Sequence, residues 1–215
     1  MVDTRLTDET ELTEVPQSDD WLYLVDVSDT ADDVAGSGRK VQLGNILSRV
    51  PFETIANVAA GEFDFSSIPG GGKRLVFVLR LRGEAADVRE SLRCFLNADT
   101  TNSNYQFEEL STESGTVNGT SGNSAYCGVS SADNSPADAY STLTIAIEDY
   151  ESASTLKVLN CSYRAFLKDT PSVTLRAGEI VCASSLTDAI TRVRIRSHDF
   201  GVNDLLGEAT GYIEF

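Results

Sequence analysis

From Lys73 onward the chain alternates apolar and polar residues with a period of two, the mark of strands buried on one face. Leu75, Phe77, Leu79 and Leu81 fall on one side of the run Arg74 to Arg82, with Arg80 and Arg82 on the other. Leu143, Ile145 and Ile147 repeat the pattern, and Thr191 to Ser197 sets Val193 and Ile195 inward against Arg192, Arg194 and Arg196. Further strands are predicted at Glu90 to Ala98, Tyr105 to Leu110, Leu156 to Cys161, Tyr163 to Leu167, Glu179 to Ala183 and Gly211 to Phe215. Glu90 to Ala98 and Tyr105 to Leu110 read as partners around the polar loop Asp99 to Asn104. Ser111 to Ser124, rich in Gly, Ser, Thr and Asn, reads as a long exposed loop. About eight strands with turn signals between them predict a mainly β protein in which residues 73–215 form an antiparallel β-sandwich, jelly-roll-like.

Two smaller zones precede the sandwich. Trp21 to Val27 reads as a strand with Trp21, Tyr23, Val25 and Val27 on one face, and Leu22, Leu24 and Asp26 on the other. Lys40 to Leu43 can return against it across a loop of Asp, Ala and Gly, giving a small hairpin-like unit within residues 1–50. Two strands cannot hold a core of their own, so this unit has to be completed by whatever it packs on. Residues 51–72 read as a linker. Asn45 can cap a short helix through Ile46, Leu47 and Val50, interrupted by Pro51, and Phe52, Ile55 and Val58-Ala59 keep a helical spacing. Ser66 to Gly72 is a hinge by composition; its three glycines lead into Lys73-Arg74 and lack the G-K-[ST] ending of a phosphate loop.

Charge changes the picture of the N-terminal zone. The chain has 33 acidic and 17 basic side chains, a net charge of −16, and residues 1–35 hold eleven of the acids against Arg5 alone. An arm of that sign repels phosphate backbones and argues against nucleic-acid binding; it is either a solubilising arm or one that docks on a basic surface. With 41% hydrophobic residues the chain can pack a core. No run of eighteen apolar residues is present and the start lacks the basic and apolar regions of a signal peptide, so neither membrane insertion nor cleavage is expected. Cys94, Cys127, Cys161 and Cys182 contain no C-x-x-C pair and His198 is the single histidine, which speaks against zinc; no metal or other cofactor is expected. Cys94, Cys161 and Cys182 fall in apolar strands and read as buried thiols, with disulfides left open.

The N-terminal residues carry a further signal. Glu11-Leu12 is followed by Asp19-Asp20-Trp21-Leu22-Tyr23-Leu24-Val25-Asp26-Val27-Ser28, and a Gly-Ser-Gly turn then leads to Arg39-Lys40-Val41-Gln42-Leu43-Gly44-Asn45-Ile46-Leu47. In this order the pieces resemble the N-terminal segment of tailed-bacteriophage fibre and appendage proteins of the virion. A looser similarity to the C-terminal sandwich of such fibres runs through Leu92 to Asp99, Asn104 to Phe107, Leu143 to Tyr150, Ile195 to Gly201 and Gly211-Tyr212-Ile213. The two similarities together touch about half the chain. The resemblance implies a protein made in the host cytoplasm and carried in the virion. It further implies that residues 1–50 attach to tail or capsid proteins, with Trp21, Leu22, Tyr23, Val25, Val41, Leu43 and Ile46 in the docking unit. Fibres of this kind are trimeric, and a docking unit without its own core agrees with a homotrimer.

Chemistry points the same way. A Ser-His-Asp triad would have to use His198 beside Asp199 in a turn, and no G-x-S-x-G elbow exists, so a non-enzymatic role is expected. The loops Asp99 to Asn104 and Ser111 to Pro136 offer Asn102, Asn104, Tyr105 and Tyr126, side chains suited to sugar hydroxyls and sugar faces, as receptor-binding candidates. Arg192, Arg194 and Arg196 form a strip that either meets carboxylates of a ligand or pairs with acids on a neighbouring strand or subunit; in so acidic a chain, pairing is the expectation. The leading expectation is thus a tail fibre or adhesin that anchors by its N-terminus and presents the sandwich to a host-surface glycan or protein. A capsid decoration or head-fibre protein is the first alternative, and a short polysaccharide depolymerase using an acid pair is the second.

Overall fold

The structure, a computed structural model, describes residues 49–56, 61–135, 139–167, 174–198 and 204–215 in full. It also gives the strand backbone at 21–26, 37–42, 168–169 and 172–173. The strands in chain order are β1 (Trp21–Asp26), β2 (Ser37–Gln42), β3 (Arg49–Ile55), β4 (Glu62–Phe65) and β5 (Arg74–Gly83). Then follow β6 (Arg89–Leu96), β7 (Tyr105–Glu113), β8 (Thr116–Gly122), β9 (Tyr126–Ser131) and β10 (Ser141–Glu148). The last four are β11 (Lys157–Asp169), β12 (Ser172–Ser184), β13 (Val193–Ser197) and β14 (Leu205–Glu214). The chain divides into two compact units, residues 1–50 with Phe215, and residues 51–214, with β3 running from the first into the second. In the first, β1 and β2 pair antiparallel as a sheet of two, with Leu22 opposite Val41. In the second, an eight-stranded sheet in the order β3-β14-β5-β10-β11-β12-β7-β8 packs on a four-stranded sheet in the order β4-β13-β6-β9. The protein is mainly β, and this second unit is an antiparallel β-sandwich.

The period-two pattern decides which side chains lie between the sheets. Leu75, Phe77, Leu79 and Leu81 of β5 are buried, as are Leu143, Ile145 and Ile147 of β10 and Val193 and Ile195 of β13. Fully burying one such side chain is worth about 1.5–3 kcal/mol, so these nine alone outweigh any surface contact in the molecule. Tyr163 stands where β9 crosses the large sheet. A Cβ on Gly128 would lie 3.1 Å from its ring and one on Gly178 would lie 2.6 Å away, so both strands approach it through their missing side chains. Gly128 also has φ +145°, a conformation that disfavours every other residue. Around the Tyr163 hydroxyl sits a buried polar cluster. Arg176 donates from Nε to the hydroxyl at 2.9 Å and from Nη2 to Glu109 at 3.1 Å, and the hydroxyl itself donates to Glu109. Glu109 is 5% exposed, and this arginine is the cation paired with it inside the sandwich.

Several expectations about local structure are corrected here. Residues 51–72 are not a helical linker with a glycine hinge. Phe52 and Ile55 lie in β3 and residues 62–65 form β4, so the segment supplies an edge strand to each sheet; Val58-Ala59, Asn45, Ile46 and Leu47 lie outside the described residues. Burial explains the outcome. The rings of Phe52, Phe65 and Phe77 meet at 4.8 to 6.1 Å between centroids, which places one aromatic from each of β3, β4 and β5 in a single contact. The glycine run is held as well: Tyr150 donates its hydroxyl to Pro69 O at 2.8 Å and accepts from Gly72 N at 3.2 Å. β6 and β7 are not partners but lie in opposite sheets. Residues 111–124 are not a long loop; β7 and β8 pair from Phe107–Gly122 to Glu113–Thr116 around Ser114-Gly115, whose φ values of +50° and +82° make the tight turn that matches strand twist. The two strands expected at Leu156 to Cys161 and Tyr163 to Leu167 are one strand, β11, which starts at Lys157. Arg82 is buried rather than outward, donating to Ala132 O at 3.4 Å and to Asp133 at 3.3 Å.

All four cysteines are buried and unbridged. Burial pushes each thiol upward, Cys182 to about 12, which holds them as inert thiols. The native protein is expected to show no fast-reacting thiol to a chromogenic disulfide reagent and four after unfolding in denaturant. Arg176→Met is expected to cost about 3–5 kcal/mol in urea unfolding, because it leaves Glu109 buried without its cation. A cost below about 1 kcal/mol would show that the cluster is dispensable.

Candidate functional site

Where β7 of the large sheet comes alongside β6 and β9 of the small one lies the arrangement best suited to contact a ligand. β6 and β9 run antiparallel with Arg93 opposite Tyr126, just past an irregularity in register at Leu92/Arg93. The irregularity breaks the alternation locally, the usual way a strand re-aims one side chain. Arg93 donates to the side-chain oxygen of Asn102, which the turn Asn102–Asn104 presents. Tyr126 packs against Phe107 of β7 with ring centroids 4.8 Å apart, and its hydroxyl lies 3.4 Å from Glu109 of the buried cluster. Arg93, Phe107 and Tyr126 line a cleft of about 210 Å³ together with Ser91, Ser124 and His198. A second depression of about 340 Å³, with Asp87, Arg89 and Glu90, adjoins it through Ser91 and His198. His198 is carried there by its backbone N–H, which donates to Ser91 O at 2.8 Å.

The loop that frames this cleft is built by its own side chains. Asp99 accepts from Thr101 N and from the Asn104 amide, both at 2.9 Å, a local pattern that fixes an Asx-type turn. Tyr105 is buried at 1% exposure; its hydroxyl accepts from Leu96 N at 2.9 Å and its ring meets Phe95 edge-on at 5.7 Å. Of the four receptor-binding candidates, Tyr105 is therefore a core residue, a correction that follows from its position at the first inward site of β7. Asn104 spends its amide on Asp99. Asn102 and Tyr126 converge on Arg93. The residues that sequence reasoning missed are Arg93 of β6, Phe107 of β7 and His198 just after β13, which share no spacing in the chain. Only the aromatic at Phe107, three residues before the end of the predicted strand Tyr105 to Leu110, offered a signal.

The arginine strip occupies a different part of the same sheet. β13 lies between β4 and β6, with Arg194 opposite both Asp64 and Phe95, and Arg196 opposite Glu62 and Arg93. Arg192, just ahead of β13, holds Asp64 through two bonds, Nε–Oδ1 at 2.8 Å and Nη2–Oδ2 at 2.5 Å. The hydrogen bond from Arg192 holds the Asp64 carboxyl below its ordinary value. Arg196 stacks on Phe95 with Cζ 4.4 Å from the ring centroid. Of the three, Arg192 has its ion pair within the sheet, with Asp64, and Arg196 rests on the Phe95 ring. Of the docking residues, Trp21, Leu22, Tyr23 and Val25 lie in β1 and Val41 in β2; Leu43 and Ile46 lie outside the described residues.

The cleft offers stacking surface, a guanidinium, hydroxyls and an imidazole. Among the described residues no group of three or more His, Cys, Asp or Glu side chains converges to hold a metal ion. Such an arrangement binds through hydrogen bonds and ring contact, as sugars and peptide side chains do. Comparison of the chain with protein-family models, with curated proteins and with solved structures finds no match.

Four tyrosines report on how deeply the sandwich protects its polar groups. Burial raises Tyr105, Tyr126, Tyr150 and Tyr163, the last to about 12, with Glu109 adding to the rise at Tyr163. A group raised in the folded state favours folding below its unfolded value and loses that contribution as pH climbs through the folded one. Stability is therefore expected to fall between about pH 10 and 12, as unfolded tyrosines ionise and native ones do not. Ultraviolet titration of the native protein is expected to leave these four phenols un-ionised until the fold opens; full ionisation near pH 10 with the fold intact would contradict it.

Proposed function

We propose that this protein is a non-enzymatic structural protein of a tailed-phage virion, a fibre or adhesin that attaches by residues 1–50 and presents the sandwich to a host surface. The observation that carries the reading is the division of the chain between Val50 and Pro51. On one side of it lies a strand pair with no third strand among the described residues; on the other lies a complete sandwich. A two-stranded sheet is marginal alone in water. Within it residues 1–35 hold eleven acids against Arg5 alone, which suits docking on a basic partner surface. The order of residues from Glu11 to Leu47 supports a virion as the setting. On the sandwich, the cleft of Arg93, Phe107 and Tyr126 is the place for a host-surface glycan or protein, because it combines aromatic faces with an arginine held in position by Asn102.

Removing residues 1–48, which leaves β3 intact, is expected to yield a folded sandwich that purified particles no longer incorporate. Normal incorporation of the truncated chain would end the anchoring claim. In the full chain, Arg93→Ala with Phe107→Ala is expected to lower binding to host cells about tenfold or more without changing incorporation. Unchanged cell binding would remove the cleft from the reading, and gold labelling of particles distinguishes tail from head.

A further inference from the structure

The outward face of the eight-stranded sheet is unusual for a sandwich surface. Antiparallel sheets with one solvated face ordinarily turn polar side chains outward. Here Leu110, Val117, Val181, Phe166 and Leu175 are each at least 47% exposed. Register places all five on that one face: Leu110 lies opposite Glu179, Phe166 opposite Leu175, and Val117 opposite Thr112. Between them runs a groove of about 570 Å³ floored by short side chains such as Thr142, Thr144, Ser162 and Ala177. Leu110 and Val117 stand along one wall, so the face carries a ridge beside a groove.

Two charges stand in that groove, one of each sign. Arg164 lies on β11 and Glu179 on the adjoining β12, on diagonal positions, since Ser162 is opposite Glu179 and Arg164 opposite Ala177. Among the described residues neither makes a salt bridge, a side-chain hydrogen bond or a ring contact. Elsewhere Arg74, Arg82, Arg89, Arg176 and Arg192 are all ion-paired.

We infer that this face is where a second copy of the chain docks, sheet against sheet, about a two-fold axis. An isologous contact requires a patch complementary to itself. An axis lying between the sheets and crossing the line from Arg164 to Glu179 at right angles lays each arginine over the other copy's glutamate. The same rotation sets Leu110, which stands opposite Glu179, beside Arg164 of the other copy, and the short floor lets the sheets approach to about 10 Å. Five strands about 4.8 Å apart and roughly eight residues long offer on the order of 600 Å² before side-chain relief. That is close to the roughly 800 Å² per partner of a standard interface. A foreign partner would need a matching pair of charges; a second copy brings them by symmetry. The inference goes beyond the virion reading and does not depend on it. The trimer expected from the family resemblance rested on the N-terminal unit, whereas the sandwich face argues for pairing by two.

The test is light scattering with size-exclusion chromatography on the full chain. The wild type is expected at twice the 23.2 kDa chain mass in the micromolar range. Arg164→Glu and Glu179→Arg each place like charges together, and each is expected to raise the dissociation constant about tenfold or more with the thermal transition unchanged. An equimolar mixture of the two variants restores both attractive pairs and is expected to recover the wild-type mass, as is the double exchange in one chain. Leu110→Glu is expected to give a folded monomer. A monomeric wild type, a trimer insensitive to these substitutions, or a mixture that associates no better than its components would each overturn the inference.

Discussion

Tyr163 occupies the space where the small sheet crosses the large one, and both sheets are shaped to admit it. Its ring takes the room that a Cβ would fill on Gly128 of β9 and on Gly178 of β12. Its hydroxyl is then left in the interior, where an unpaired polar group costs roughly 1–3 kcal/mol. Glu109 and Arg176 answer that need, and Arg176 reaches on to Glu113 at 3.3 Å, near the edge of the interior. One aromatic residue thus sets the closeness of the layers, demands two glycines and brings an ion pair into the core. Tyr126, whose hydroxyl approaches the same Glu109, ties the wall of the surface cleft to this cluster. The geometry of the cleft is therefore an extension of the packing between the sheets.

How much of this could be read along the chain depended on whether alternation survived. β5, β10 and β13 each bury one face cleanly, and their period of two made them legible together with the sandwich they imply. β8 was illegible because Thr116 to Gly122 buries no apolar residue and is exposed up to Ser121; its pairing comes from the turn at Ser114-Gly115 and from β7. β3 was misread because Phe52 and Ile55 stand three apart, a spacing shared by a helix and by a strand whose two faces each bury one residue. Long-range partners broke that tie: Phe52 meets Phe65 and Phe77 and covers Gly211. Sequence separation hides such partners from any local pattern.

The candidate site was legible in part for a related reason. Asn102 and Tyr126 carry the right chemistry in segments that read as loops; Tyr126 lines the cleft and Asn102 holds its arginine. Tyr105 carries the same chemistry but begins a strand on its inward side, so its hydroxyl serves Leu96 rather than a ligand. Arg93, Phe107 and His198 could not be grouped without knowing that β6 pairs with β9 while β7 lies in the opposite sheet. Side-chain type limits what a residue can do, and the sheet order decides which residues do it together.

The four unbridged thiols acquire a different meaning when time is considered. Each of them is closed off by the finished sandwich, with Cys94 and Cys127 on the small sheet and Cys161 and Cys182 on the large one. A β-sandwich built from contacts distant in sequence folds in about milliseconds to seconds. Protein disulfides form over seconds to hours. The chain therefore meets oxidants with its sulfurs exposed only during the brief interval before the sheets close. A folded protein of this design can pass from a reducing to an oxidising medium without any change in its covalent structure.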